Sequence, residues 1–324
     1  MKLVKALFVA ILWIAAACAH AQSGRDMAAH VEVHQIPSLT VSDRQMLTGN
    51  RHGEPVTVAG ILRLAKQSGK QPVVVLIHGS SGIGANIEMW ERIFNENGIG
   101  TFAIDGFTGR GIRSTSNDQS QLGRLNLVLD AYRALDMLAR DPRVDPDRIV
   151  LMGFSRGGQA TLYAAMTRLN RMWNTSGVRF RAYIPFYPDC MTRYRDDTDV
   201  DGPIREFHGA DDDYDPAPAC AAYIGRLREA GKDATMTVFP HASHAFDMPY
   251  AMPTVVAKGA QTVRACRIVE NASGELINEA TGALFSFRDE CVQSDPHVGG
   301  NGQARDAAIS DVLAYLKTLF GVGS

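Results

Sequence analysis

From Pro72 onward, short continuous apolar runs rich in β-branched residues alternate with longer amphipathic stretches. That alternation is the pattern of repeated strand–helix–strand units around a parallel sheet. Residues 73–77 are apolar throughout and end in His78-Gly79; residues 101–104 repeat the pattern and end in Asp105-Gly106. Unbroken rather than alternating hydrophobicity means that both faces of such strands are covered. The expected fold is therefore α/β, a mostly parallel twisted sheet with helices on both faces, in three layers. Further strands are expected at 149–152, 181–186, 204–207 and 235–239, and helices at 86–95, 122–140, 156–170, 217–229 and 303–320. Asp141-Pro142 and Asp145-Pro146 read as a break between helix and strand. Residues 31–36 and 56–64 read as antiparallel strands opening the sheet.

Residues 249–302 leave this rhythm, and a structureless stretch of that length is unusual inside a compact domain. Residues 263–269 and 275–287 alternate apolar and polar around Asn271-Ala272-Ser273-Gly274, which predicts a hairpin excursion. It either borders the substrate mouth or is a plain surface loop. No linker or internal repeat divides the 324 residues, so residues 22–324 are expected to form one domain.

The chain begins Met1-Lys2-Leu3-Val4-Lys5, runs apolar over residues 6–17 and then reads Ala19-His20-Ala21. A charged start, a short apolar core and a small-x-small site describe a secretory signal, cleaved before Gln22. The apolar run is shorter than the roughly 20 residues of a spanning helix. Lipidation at Cys18 is the alternative. The expectation is an exported protein, periplasmic or secreted. Cleavage leaves Cys190, Cys220, Cys266 and Cys291, and pairing each with its neighbour, 190 with 220 and 266 with 291, closes two local loops. A net charge of -2 offers no concentrated positive field for nucleic acid or a membrane surface, so a small-molecule substrate is the expected partner. Oligomeric state is not legible.

Gly153-Phe154-Ser155-Arg156-Gly157 fits G-x-S-x-G directly between an apolar strand and a helix. That context is a sharp turn which lifts a serine hydroxyl above the sheet, with the positive end of the next helix behind it. A serine hydroxyl is a weak nucleophile and needs a base within hydrogen-bond reach. Of nine histidines, His244 in the loop after the last expected strand is the favoured base, with His241 its nearest rival. His78 and His208, each before a glycine at a strand end, read as residues that orient backbone. The base needs an acid to hold its tautomer. Asp211, Asp212, Asp213 and Asp215 all follow the strand ending at Phe207. The cluster lacks the spacing and closing glutamate of a calcium loop, so no metal is expected.

These pieces together resemble the dienelactone hydrolase family of the α/β-hydrolases, over residues 72–320. The matching segments are Ile77-His78-Gly79-Ser80-Ser81-Gly82, Gly153-Phe154-Ser155-Arg156-Gly157-Gly158, His208-Gly209 through Pro216, and Ala242-Ser243-His244-Ala245-Phe246-Asp247. The resemblance implies Asp212 as the acid, with Asp211 the fallback, and an oxyanion hole from the backbone N–H groups of Ser80 and Arg156. It implies a Ser155–His244–Asp212 hydrolase of carboxylic esters or lactones that needs no cofactor. One departure stands out: dienelactone hydrolases proper use a cysteine nucleophile with a nearby glutamate, where this chain has Ser155. An exported peptidase of the prolyl oligopeptidase kind, or a non-catalytic binding module, are the alternatives. Arg110 or Arg113, after the strand at 101–104, is placed either to grip a substrate carboxylate or to hold its loop.

Overall fold

A computed structural model describes residues 30–321. The signal segment expected at 1–21 lies outside the described residues. The sheet contains β1 (His30–Thr40), β2 (Glu54–Leu64), β3 (Gln71–Ile77), β4 (Gly100–Asp105), β5 (Val144–Phe154) and β6 (Tyr183–Phe186). After the short β7 (Thr192–Arg193) it is completed by β8 (Ile204–Gly209) and β9 (Ala234–Phe239). The strand order is β1-β2-β4-β3-β5-β6-β8-β9. β1 and β2 run antiparallel to their neighbours, and every pairing from β4 to β9 is parallel. The chain is thus an α/β protein with the expected mostly parallel sheet.

Helices α1 (Asp43–Thr48), α2 (Ala85–Glu96), α3 (Asn126–Ala139), α4 (Arg156–Ala164), α5 (Thr167–Trp173), α6 (Ala217–Glu229) and α7 (Gly302–Phe320) cover both faces. β3 is buried along its whole length, and its side chains divide between the two cores. Val73, Val75 and Ile77 pack with the apolar sides of α3, α4, α5 and α6. Val74 and Leu76 pack with Trp90 and Phe94 of α2 and with Ala308, Val312 and Leu316 of α7. The period-2 alternation of a strand places one side chain in each layer in turn.

Two boundaries depart from the sequence reading. Asp145 and Pro146, expected to break the chain, lie inside β5. Pairing jumps from Gln71–Val144 to Val73–Ile149, so the proline sits in a bulge where its missing N–H costs no ladder bond. The helix expected at 156–170 is two helices. Met166 turns extended (ψ 121) and bridges to Val200, a tertiary pairing that no local residue signals.

The 249–302 excursion carries β10 (Val255–Val256), β11 (Gln261–Thr262), β12 (Ile268–Glu270), β13 (Leu276–Asn278), β14 (Gln293–Ser294) and β15 (His297–Val298). The expected hairpin is present as β12–β13, shorter than the alternation suggested, with β12 also parallel to β7. Both disulfides form as the spacing suggested, Cys190–Cys220 and Cys266–Cys291. Among the described residues, no helix is long and apolar enough to cross a membrane.

Candidate active site

The turn from β5 into α4 holds Ser155 at φ 54, ψ -117, a left-handed conformation unfavourable for a residue with a side chain. Close packing enforces it. A Cβ on Gly157 would lie 2.3 Å from the carbonyl oxygen of Ile77, and one on Gly153 2.2 Å from that of Gly157. The Ser155 N–H is fixed by donating to Phe186 O at 3.0 Å, and its side chain makes no capping bond to the helix. The hydroxyl therefore points away from α4.

Ser155 Oγ lies 2.9 Å from His244 Nε2, and His244 Nδ1 lies 2.8 Å from Asp212 Oδ2. The three side chains come from the ends of β5, β9 and β8, where the parallel strands present their C-terminal loops. Asp212 is anchored in turn, its Oδ1 accepting the N–H groups of Tyr214 and Asp215 at 2.9 Å each. Burial opposes ionisation of Asp212, but His244 and His208 hold its carboxyl well below the usual range. Burial likewise opposes charge on His244, and Asp212 raises its affinity for a proton above the ordinary imidazole value.

The rival residues stand elsewhere. The His241 side chain is exposed and only approaches Asp211, at 3.9 Å. Asp213 binds Arg264 and His297, holding the excursion against the acid-bearing loop. His78 donates from Nδ1 to Gly79 O and accepts Gly106 N–H at Nε2, so it does orient backbone. Gly79 packs against Ser155, its would-be Cβ 3.3 Å from that of the serine. Ser80 follows it and lines both cavities that meet at Ser155. Arg156 is the first residue of α4, so its N–H has no carbonyl partner within the helix.

Arg110 is not available to a substrate. Its buried guanidinium grips Asp130 and also donates to Thr40 Oγ1, Gly106 O and Leu39 O, so it holds the loop after β4.

Sequence reasoning missed the interior polar wall. Arg124 pairs with Asp189 and donates to Thr192 Oγ1, and Gln159 donates to Asp189 at 2.9 Å. Burial pushes Asp215 up to about 8. With Ser80, Tyr214 and Thr262 these residues enclose a cavity of about 40 Å³ beside Ser155, room for one or two waters or a small polar group. On the other side opens a cleft of about 270 Å³, bounded by Phe154, Ala245, Met248, Met252 and Val298. The excursion borders both spaces through Ala260, Gln261, Val263 and Phe287. A cluster of possible metal ligands, Cys190, Glu206 and Cys220, has both sulfurs locked in a disulfide.

The backbone resembles solved structures of the same fold. A candidate dienelactone hydrolase of Klebsiella pneumoniae subsp. pneumoniae MGH 78578 aligns over 89% of this chain and 98% of its own, with 16% identity and a TM-score of 0.56. A dienelactone hydrolase-like promiscuous phosphotriesterase from metagenomic libraries aligns over the same shares, with 16% identity and a TM-score of 0.55. Esterase 2 of Thermogutta terrifontis aligns over 68% of this chain and 86% of its own, at 17% identity and a TM-score of 0.50. No curated protein sequence matches. The sequence profile of the dienelactone hydrolase family matches residues 58–272. With that match and the α/β-hydrolase architecture together, the chain belongs to the dienelactone hydrolase family and is a hydrolase.

Proposed function

We propose that this hydrolase cleaves carboxylic ester or lactone bonds through Ser155, His244 and Asp212. The observation that carries the reading is the unbroken hydrogen-bonded line from hydroxyl to imidazole to carboxylate, at 2.9 and 2.8 Å. Ser155 Oγ attacks the acyl carbonyl as His244 Nε2 takes its proton, and Asp212 stabilises the imidazolium at Nδ1. The N–H groups of Arg156 and Ser80 receive the developing oxyanion, a contribution of about 3–4 kcal/mol per donor in related sites. His244 returns the proton to the leaving oxygen, which departs and leaves an acyl ester on Ser155. Water, deprotonated by the same imidazole, then attacks that ester and frees the acid and the serine.

The cleft suits an apolar group beside Phe154, Met248 and Met252, and the small cavity suits a compact polar one. The mature protein, taken as a single catalytic domain from Gln22, is proposed to work outside the cytoplasm, in keeping with its two disulfides. Labelling by a fluorophosphonate probe is expected for the wild type and absent in Ser155→Ala; equal labelling of both removes Ser155 from its role. Faster turnover of p-nitrophenyl esters than of aminoacyl-proline amides is expected, and the reverse order points to a peptidase.

A further inference from the structure

β8 places Glu206 and His208 on one face, two residues apart, and both side chains are fully buried. His208 Nδ1 lies 2.8 Å from Glu206 Oε1. His208 Nε2 lies 2.6 Å from the carbonyl oxygen of Asp215 and 3.4 Å from Asp212 Oδ2. A carbonyl oxygen can only accept, so Nε2 carries a hydrogen. The ring edge that bears it also faces the Asp212 carboxylate, while a second carboxylate stands at Nδ1.

Among the described residues Glu206 has no other hydrogen-bond partner: its Oε2 has none, and the carboxylate lies within 4.8 Å of the Cys190 and Cys220 sulfurs, which carry no charge. A carboxyl buried so completely either keeps its own proton or is sustained as an anion by a neighbouring positive charge; burial pushes Glu206 up, and the hydrogen bond and charge of His208 pull it down. The other ionisable groups near this ring are Asp212 and Asp215 from the loop after β8, and His244 from the loop after β9. Beyond Asp215, Asp189 is paired with Arg124.

We infer that His208 is a positioning residue: a buried imidazolium clamped between Glu206 and Asp212, which fixes the Asp212 carboxylate and offsets part of its charge on His244. The inference rests on the proposed roles of Ser155, His244 and Asp212. Its physical content is simple. A base bonded to an isolated buried carboxylate holds its proton too firmly to act at neutral pH, and a cation on the carboxylate's far side weakens that hold. His208 Nε2 and His244 Nδ1 share Asp212 Oδ2 and so lie within about 6 Å of each other, where like charges still interact appreciably in a protein interior. Burial opposes the charge on His208, but its hydrogen bonds to Asp212 and Glu206 raise it to about 10.

Imidazole nitrogen NMR on the intact protein tests the charge directly. The His208 ring, assigned by its loss in His208→Gln, is expected to stay doubly protonated from pH 6 to 8.5, and in Glu206→Gln to titrate within that range. A wild-type His208 ring that is neutral at pH 7 overturns the inference, whether or not the variants fold. In kinetics, His208→Gln keeps a donor toward Asp215 O and removes the charge. The acid limb of kcat/KM for a p-nitrophenyl ester is then expected to move up by about one pH unit. A folded His208→Gln with an unmoved limb also overturns it. Because the NMR readout does not need turnover, a failure of Ser155 labelling would remove the proposed activity and leave the imidazolium standing.

Discussion

Arg110 and Asp130 face each other through two parallel hydrogen bonds, Nη1 to Oδ2 at 2.7 Å and Nη2 to Oδ1 at 2.9 Å, with both side chains buried. Ser38 Oγ donates to the same carboxylate. Arg110→Ala leaves that carboxylate uncompensated, so a loss of about 3–5 kcal/mol is expected in urea unfolding. KM of the folded fraction should stay at the wild-type value, because Arg110 borders neither cavity.

Asp211 and Asp212 are adjacent in sequence and opposite in circumstance. The Asp212 carboxylate is bonded to His244, whereas the Asp211 side chain is exposed. Asp212→Asn is expected to lower kcat by about 1,000- to 10,000-fold, since an amide favours the wrong imidazole tautomer. Asp211→Asn should change it less than about twofold. Steady-state kinetics on one ester separates the two.

The acid side of the pH profile follows from His244. In the proposed mechanism its neutral form is the base, so falling pH is expected to remove activity as the ring gains a proton. Burial lowers that proton affinity, but the charge and hydrogen bond of Asp212, with Asp215 beside it, raise it on balance, so the midpoint of kcat/KM is expected above the ordinary imidazole value of 6.5. A midpoint well below it would contradict the geometry.

Asp215 makes a different pH signature. Burial raises it from 3.8 to about 8, so the folded protein holds this proton where the unfolded chain has lost it. A raised acid gives stability that is complete below the unfolded value and lost as pH climbs to the folded one. Between about pH 4 and 8 the wild type should therefore lose stability relative to Asp215→Asn as pH rises. Unfolding free energies of the pair across that range test the sign.

The excursion reaches the smaller cavity through Val263 and Phe287, each close in sequence to one end of the Cys266–Cys291 disulfide. Replacing both cysteines by serine is expected to cost about 3 kcal/mol of stability and to raise KM, while Ser155 still labels with fluorophosphonate. A variant that melts lower but binds substrate as before would show that the cross-link supports the fold alone.

Much of this was legible because it is local. An apolar strand, a glycine-flanked serine and a helix lie in one continuous stretch, and the turn that joins them leaves little freedom at Ser155. His244 was readable for the same reason, as a strand-end histidine. The choice among four aspartates came from family resemblance, because neighbouring residues of one type are distinguished only by the turn that aims them. Arg124 and Asp189 were invisible, being 65 positions apart with no pattern linking them. The break at Met166 escaped notice likewise, since its cause is a pairing with distant Val200.

The excursion leaves the sheet just after His244 and returns to the same spot: Gly299 N–H donates to His244 O at 3.0 Å, and Asn301 N–H to Phe246 O at 2.9 Å. A segment whose two ends are pinned side by side can lengthen or shrink at little entropic cost. One side of each space beside Ser155 is thereby carried on a stretch whose length can vary without moving Ser155, Asp212 or His244, while the opposite side stays with the sheet and its loops.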